Sequence, residues 1–320
     1  MTINAAIHLL LGRSAARFCF VDVGARWGAH QRWSALNDRA DIVCFEPDAE
    51  EVARLNESKP DNVHYHPFGL SDTDGQSDLH ITAEPACSSV FPPVPALYEH
   101  YSSLDAMRPV RTISVPLKRL DDVVANAAVI KLDTQGAELA ILRGATRVLA
   151  TCSLVDVEVE FNPLYLGQPL FCDVDRFMRD QGFVLWRFDN LIHYTSEPTA
   201  AARADFSIVT SPEPVQTLDV PSGQAYWAQV QYVRAEYPRT GAEHMSAEEA
   251  IPAALVAGAY DFWDLAVELI RKTGDTALLL ALREALERAS AKTRSALAGP
   301  PPVSLRRRIW ARVRRGLDRG

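Results

Sequence analysis

The chain has 320 residues, room for one large α/β domain plus an appendage at about 100 to 200 residues per domain. Its 48% apolar and 23% charged content is an ordinary globular balance. The net charge of −8 is uneven: seven arginines against Asp318 make residues 303–320 +6, which leaves −14 for the rest. So acidic a body lacks the clustered Lys and Arg of phosphate contacts, which excludes general nucleic-acid binding by the main domain.

Taken in order, Ile3, Ile7, Leu10 and Leu11 recur at helical spacing with no Lys or Arg ahead of them, which predicts a packing helix rather than a signal peptide. Residues 18–23 form an apolar run closed by Gly24, the pattern of a buried parallel strand ending in a tight turn. Gly24 and Gly28, followed by a helix-like segment, are expected to present bare backbone N–H groups to a ligand at a helix N-terminus. Residues 41–45 read as a second strand, and Glu46 at its end lies about 20 residues past the glycines, where a carboxylate meets ribose hydroxyls. The pattern Asp-x-Gly-x-x-x-Gly lacks the closely spaced glycine pair of Gly-x-Gly-x-x-Gly, which favours a nucleoside without a pyrophosphate.

Residues 47–58 then read as a helix, 63–66 as a strand and 69–75 as a turn rich in Gly, Asp and Ser, with Asp72 and Asp74 either solvated or functional. Residues 77–82 and 111–117 look extended. Between them Glu84 to Pro109 shows no period, as in a functional loop or a mobile one. Asp121 and Asp122 read as a helix start after Leu120. The strand 129–132 ends in Asp133 and turns through Thr134-Gln-Gly136 into one helix carrying Leu139, Leu142, Ala145 and Leu149. Asp133 thus occupies the carboxyl end of a strand, where open α/β sheets hold ligands.

The strand 154–161 carries Glu158 and Glu160 at period two, on one face. A loop, a helix over 173–180 closed by Gly182, and a strand over 183–189 follow. His193, beyond that strand, is a general base by residue type or a structural histidine. His30, His64 and His66 are open to the same two readings. No third ligand accompanies His64 and His66, so no metal is expected. Residues 225–233 alternate as one more strand at the sheet edge, and a boundary falls near 237–241.

Ser246 and Glu249 then make a capping-box pair ahead of two amphipathic helices. These are too small to stand alone and pack on the main domain, on a second subunit as a homo-oligomer interface, or on a partner. The division is 1–240 for the main domain, 241–298 for the helical appendage, and 299–320 for a proline linker and tail. As a helix, the tail gathers Leu305, Ile309, Trp310, Val313 and Leu317 on one arc with every Arg but Arg306 elsewhere, which suits a membrane surface, an acidic partner or docking on the acidic body. Five widely spaced cysteines without Cys-x-x-Cys read as reduced thiols of a cytoplasmic protein, with peripheral contact at the inner membrane surface where the tail binds there. No apolar run approaches the roughly 20 residues of a membrane span.

Four blocks taken together resemble the S-adenosylmethionine-dependent methyltransferases, and more narrowly the FkbM family. They are Val-Asp-Val-Gly-Ala-Arg-Trp-Gly (21–28), Phe-Glu-Pro-Asp (45–48), Gly-Leu-Ser-Asp (69–72) and Ile-Lys-Leu-Asp-Thr-Gln-Gly-Ala-Glu-Leu-Ala-Ile-Leu-Arg-Gly-Ala (130–145), with a weaker fifth from Val157 to Phe183. The resemblance covers about 15–210. It implies a Rossmann-like class I fold with a mostly parallel sheet, S-adenosyl-L-methionine as cofactor, and O-methylation of a hydroxyl on a sugar, glycan or secondary metabolite. It also implies that Asp22, Gly24 and Gly28 seat the cofactor's amino-acid part, Glu46 its ribose, and the turn with Ser71 and Asp72 its adenine. Asp133 then faces the sulfonium, binds the acceptor hydroxyl or takes its proton, with Glu160 and His193 as further catalytic candidates and Glu158 pairing with a cation. Residues 87–93 would belong to a lid. Two positions depart from the family wording: Gln135 stands where an acid is common, and Arg26-Trp27 fill the glycine loop with bulk. The alternative is a non-catalytic binding or assembly module that presents the appendage and tail; a nicotinamide-dependent oxidoreductase is disfavoured by the absent Gly-x-Gly-x-x-Gly.

Overall fold

The computed structural model describes residues 3–194, 206–209, 224–238 and 244–296. The predicted proline linker and basic tail lie outside them.

The short apolar runs do become strands. β1 (Phe18–Val23), β2 (Ala40–Phe45), β3 (Val63–His66), β7 (Val129–Leu132) and β8 (Leu154–Glu160) pair in parallel. β9 (Phe183–Tyr194), β10 (Phe206–Val209) and β11 (Gln224–Arg234) complete an eight-stranded sheet in the order β10-β9-β11-β8-β7-β1-β2-β3. β11 is antiparallel to both β8 and β9, so it lies within the sheet and not at its edge as expected. The predicted Rossmann-like sheet is thus present, and the chain order reverses between β1 and β7. Open α/β sheets bind ligands in the crevice at such a reversal.

A second, three-stranded sheet of β4 (Gly69–Leu70), β5 (Gly75–Thr82) and β6 (Pro109–Lys118) stands beside it. Residues 84–108 are the connection of the β5–β6 hairpin. They hold two 3₁₀ turns, Pro85–Cys87 and Ser102–Met107, around α3 (Pro95–His100). Helices of one or two turns are too short to show a period, which is why this stretch looked irregular.

Both faces of the main sheet are covered. On one, Val21, Val23, Ile130, Leu132, Val155 and Val157 pack with α5 (Glu138–Arg143), α6 (Thr146–Leu149) and α7 (Phe171–Asp180). The single helix expected after Gly136 is broken into α5 and α6 at Gly144. A Cβ there would lie 2.1 Å from the carbonyl oxygen of Ser71, so the turn after β4 approaches too closely for any side chain. Asp121, in the short helix α4 (Leu120–Val123), accepts the N–H groups of Arg147 and Val148 and so holds the start of α6.

On the other face, Phe18, Phe20, Ile42, Val129, Leu154 and Val233 share one core with α1 (Ile3–Leu11), α8 (Ala247–Ala259), α9 (Trp263–Lys272) and α10 (Thr276–Ala296). The helical appendage therefore packs on the main domain, the first of its three predicted partners. The capping box forms, with Ser246 Oγ accepting the Glu249 N–H. Gly258 admits the Trp263 ring, whose nearest atom is 2.7 Å from where a Cβ would stand. No helix among the described residues is long and apolar enough to cross a membrane.

Candidate functional site

The face covered by the C-terminal helices changes character along the strands. Phe20, Val129 and Leu154 are register neighbours; two residues further on, the same row reads Asp22, Lys131 and Asp156. All three are buried. Lys131 Nζ lies 3.2 Å from Asp22 Oδ1 and 3.9 Å from Asp133 Oδ2. Burial alone would pull the Lys131 ammonium down, but Asp22, Asp133 and Asp156 raise it above its ordinary value, so it stays charged. Gln229 and Gln231 on β11 each donate to Asp156 Oδ1, at 2.9 and 2.8 Å. This charged row is the floor under the next one: Gly24, Asp133 and Glu158.

Gly24 has φ +81°, and a Cβ on it would stand 1.9 Å from the carbonyl oxygen of Asp133. The glycine is required because the ends of β1 and β7 meet there. The loop amides are not the free donors expected. Those of Gly24 and Ala25 donate to the Phe45 carbonyl, that of Gly28 to the Ala25 carbonyl, that of Ala29 to Tyr65 Oη and that of His30 to Asp22 Oδ2. Arg26 and Trp27 are left with backbone N–H groups that meet no partner among the described residues. The segment that follows is a 3₁₀ helix, Gln31–Arg39, rather than an α-helix. Trp27, 62% exposed, marks the loop's outer tip.

Glu46 closes β2 as predicted. Its Oε1 accepts the Asp48 N–H at 2.9 Å, and burial pushes the carboxyl up to about 7 against the opposing pull of that bond and of Arg26. Asp48 in turn caps α2 (Ala49–Asn56) by accepting the Glu50 N–H. Ser71 and Asp72 form a turn whose backbone lies against Gly144, while a Cβ on nearby Gly69 would be 3.8 Å from Pro47. Asp72 itself is exposed and accepts from Ser71 Oγ and Thr73 Oγ1.

Beyond Gly24 the chain departs most from expectation. Gln135 adopts φ 61°, and its Nε2 bridges two carboxylates, 3.1 Å from Asp133 Oδ1 and 2.5 Å from Glu158 Oε2. Its amide is oriented from behind: Tyr165 Oη lies 2.8 Å from Gln135 Oε1, and Ser89 Oγ donates to the Gln135 carbonyl at 2.6 Å. Glu138 ties the turn by accepting from the Thr134 and Gly136 N–H groups and from Thr134 Oγ1. Asp133, its side chain 23% exposed, is the reachable carboxylate of this group. Glu158, expected to pair with a cation, accepts from the Gln135 amide.

Glu160 is farther in. It is buried, and desolvation together with Glu138 and Asp133 raises its carboxyl well above the usual range, the environment of a neutral acid rather than of a proton acceptor. His193 lies within β9 and not beyond it, opposite Ser207 and Ala225. Strand alternation turns it away from the face of Ile192 and Tyr194, which pack with Tyr165. The structure thus brings together Asp22, Gly24 and Asp133, with Glu46 one strand away, and sets His193 apart. Residues 87–93, the expected lid, pack beside the turn after Asp133: Ser89 Oγ donates to the Gln135 carbonyl, and Cys87 O is 2.8 Å from Tyr165 Oη. His64 and His66 line a groove of about 390 Å³ with Cys19, Val43 and residues 123–126, and the His66 carbonyl accepts the Glu46 N–H at 3.2 Å.

Among known proteins, the chain is 28% identical over 194 residues to the hexuronic acid methyltransferase AglP of Haloferax volcanii, covering 58% of this chain and 76% of that protein. It is likewise 28% identical over 159 residues to the 2-O-methyltransferase NoeI of Sinorhizobium fredii, covering 46% of this chain and 65%, just under two thirds, of that protein. A solved structure of magnesium protoporphyrin IX methyltransferase from Synechocystis PCC 6803 aligns over 73% of this chain and 78% of its own, at 10% identity and a TM-score of 0.33. The model of the methyltransferase FkbM domain matches residues 22–185, just over half of the chain and the span that holds Asp22, Glu46, Asp133 and Glu158, so the chain belongs to the FkbM methyltransferase family.

Proposed function

We propose that the protein takes a methyl group from S-adenosylmethionine and transfers it to a hydroxyl oxygen of a sugar, glycan or secondary metabolite. The observation that carries this reading is the row Gly24, Asp133, Glu158 at the point where the strand order reverses, with Glu46 at the end of the neighbouring strand. The names of two relatives, a hexuronic acid methyltransferase and a 2-O-methyltransferase, support a carbohydrate acceptor.

The residues present fit such a cofactor. The unpartnered N–H groups of Arg26 and Trp27 and the Asp22-anchored loop suit its amino-acid end, Glu46 its ribose diol, and the turn at Ser71 and Asp72 its adenine. S-adenosylmethionine, when bound, supplies an electrophilic methyl on a positive sulfur. The rest falls to the chain. Catalysis of an in-line displacement rests on holding the acceptor oxygen at near-attack distance and on removing its proton. Asp133 does both: Oδ1 is fixed by the Gln135 amide, and Oδ2 is the oxygen that receives the acceptor hydroxyl. Glu158, held by the same amide, would help to hold the positive sulfur, while buried Glu160 and His193, on the other side of β9 from Ile192 and Tyr194, take no proton.

Calorimetric titration with S-adenosylmethionine, S-adenosylhomocysteine and NADH, with Glu46→Ala as control, tests the reading. Micromolar binding of the two adenosyl compounds, lost in the variant, is expected, followed by labelled-methyl transfer to a panel of glycosides. Binding of neither compound would refute it. The charge pattern of residues 303–320 supports contact with an anionic membrane or an acidic partner, and flotation with liposomes of graded anionic content tests that separately.

A further inference from the structure

Arg26 stands between Gly24 and Gly28 and reaches from the end of β1 to the end of β2. Its Nη1 and Nη2 are both 3.2 Å from Asp48 Oδ2, and Nη1 is 3.8 Å from Glu46 Oε1. The contact is not a surface pair: the Arg26 side chain is 17% exposed, and both acids are buried. Asp48 is fixed on its other side, where Oδ1 caps α2, so the guanidinium rests on a rigid frame. The charged groups facing Glu46 are Arg26 from the glycine loop, Asp48 from the turn and Glu51 from α2. Arg26 is the one cation in that set. Against it act burial and two like charges, the conditions under which a carboxyl gives up its charge.

We propose that Arg26 is the positioning residue of the ribose acid: it holds Glu46 in place and in the ionised form that accepts hydrogen bonds from a ribose diol. The proposal rests on the reading of Glu46 as the ribose ligand. A carboxylate accepts from both diol hydroxyls, whereas a carboxylic acid spends one oxygen as a donor. Cofactor affinity is therefore tied to the protonation of Glu46, and the loop that seats the amino-acid end also sets the charge at the ribose end. The bulk at position 26, where the loop needs none for its own turn, has this use.

The test is titration of the full chain with S-adenosylhomocysteine at pH 6 to 9, for the wild type, Arg26→Met, Arg26→Lys and Glu46→Ala. The wild type is expected to lose affinity as the pH falls through about 7. Arg26→Met should move that fall upward by about one pH unit, binding about fivefold more weakly at pH 7, approaching about tenfold at pH 6 and recovering to within about threefold at pH 9, with Arg26→Lys between the two. Wild-type affinity of Arg26→Met at pH 7 overturns the inference, and so does a deficit of the same size at every pH, which would mark a loop-packing role. In either case Glu46→Ala separates the layers. Loss of binding in that variant leaves the ribose reading standing, and unchanged binding removes it together with the inference.

Discussion

Replacing Glu46 by Gln should stabilise the free protein while weakening its hold on the cofactor. The Glu46 carboxyl is displaced from its ordinary 4.5 to about 7, chiefly because burial penalises the charge. Between those two values the unfolded chain has released a proton that the folded chain retains, so the folded state loses ground as the pH rises through this window. Each unit is worth about 1.4 kcal/mol, so the loss approaches about 3 kcal/mol above pH 7 and vanishes below pH 4.5. Glutamine removes the charge and keeps an oxygen for the Asp48 N–H, but gives up the 3.8 Å contact with Arg26. A net gain of about 1 to 2 kcal/mol is therefore expected at pH 8 and none at pH 4, measured by urea unfolding at both. Calorimetry on the same variant should show S-adenosylhomocysteine binding weakened at least tenfold. Equal stabilisation at pH 4 and pH 8 would refute the reasoning, because the effect would then owe nothing to a buried charge.

Asp133→Asn should remove most turnover while cofactor affinity stays within a few fold; unchanged turnover in a labelled-methyl assay would take Asp133 out of the mechanism. Gly24→Ala places a methyl 1.9 Å from the Asp133 carbonyl oxygen at φ +81° and should cost at least about 2 kcal/mol in urea unfolding, with a cost under 0.5 kcal/mol counting against the close approach of β1 and β7. Tyr260→Phe leaves the buried Trp33 Nε1–H, now 3.3 Å from the Tyr260 hydroxyl, without its acceptor, and should cost about 1 to 3 kcal/mol by the same measurement.

Most strands of the parallel sheet were legible as short apolar runs cut off by a glycine or an acid, because burial on both faces keeps them largely apolar; β8, with Asp156, Glu158 and Glu160, is the exception. Asp22, Glu46 and Asp133 were legible because each lies at or next to the carboxyl end of such a run. What stayed hidden depends on contacts between distant segments. The break at Gly144 comes from the Ser71 carbonyl, and the occupied amides of the glycine loop depend on Phe45 and Tyr65. Gln135 looked like a loss, an amide where an acid is common. Its bridging role needs the register that sets Leu132 beside Val157, which puts Asp133 beside Glu158. Period two did place Glu158 and Glu160 on one face, but could not say which would reach the Asp133 turn and which would sink into the core.

The helices after residue 244 complete the fold where the family's own segment leaves it open. Between β1 and β2 this chain has a 3₁₀ helix, Gln31–Arg39, whose Trp33 and Leu36 are buried in the core of the sheet face that those helices cover, Trp33 stacked on Phe20 at 5.0 Å. Together with Ile7 and Leu10 of α1, more of that face is buried by Ile251, Leu255, Leu265, Leu269, Ile270 and Leu282, all six beyond the FkbM match at 22–185. Six such side chains, at about 1.5 to 3 kcal/mol each, contribute on the order of 10 kcal/mol, as much as the whole net stability of a typical domain. The same helices touch the site. Tyr260, at the end of α8, accepts from Trp33 and lies under the Arg32 guanidinium at 4.7 Å, while Arg32 also pairs with Asp189 on β9 at 3.7 Å. The glycine loop is therefore anchored at its start by β7 and at its far end by the C-terminal helices.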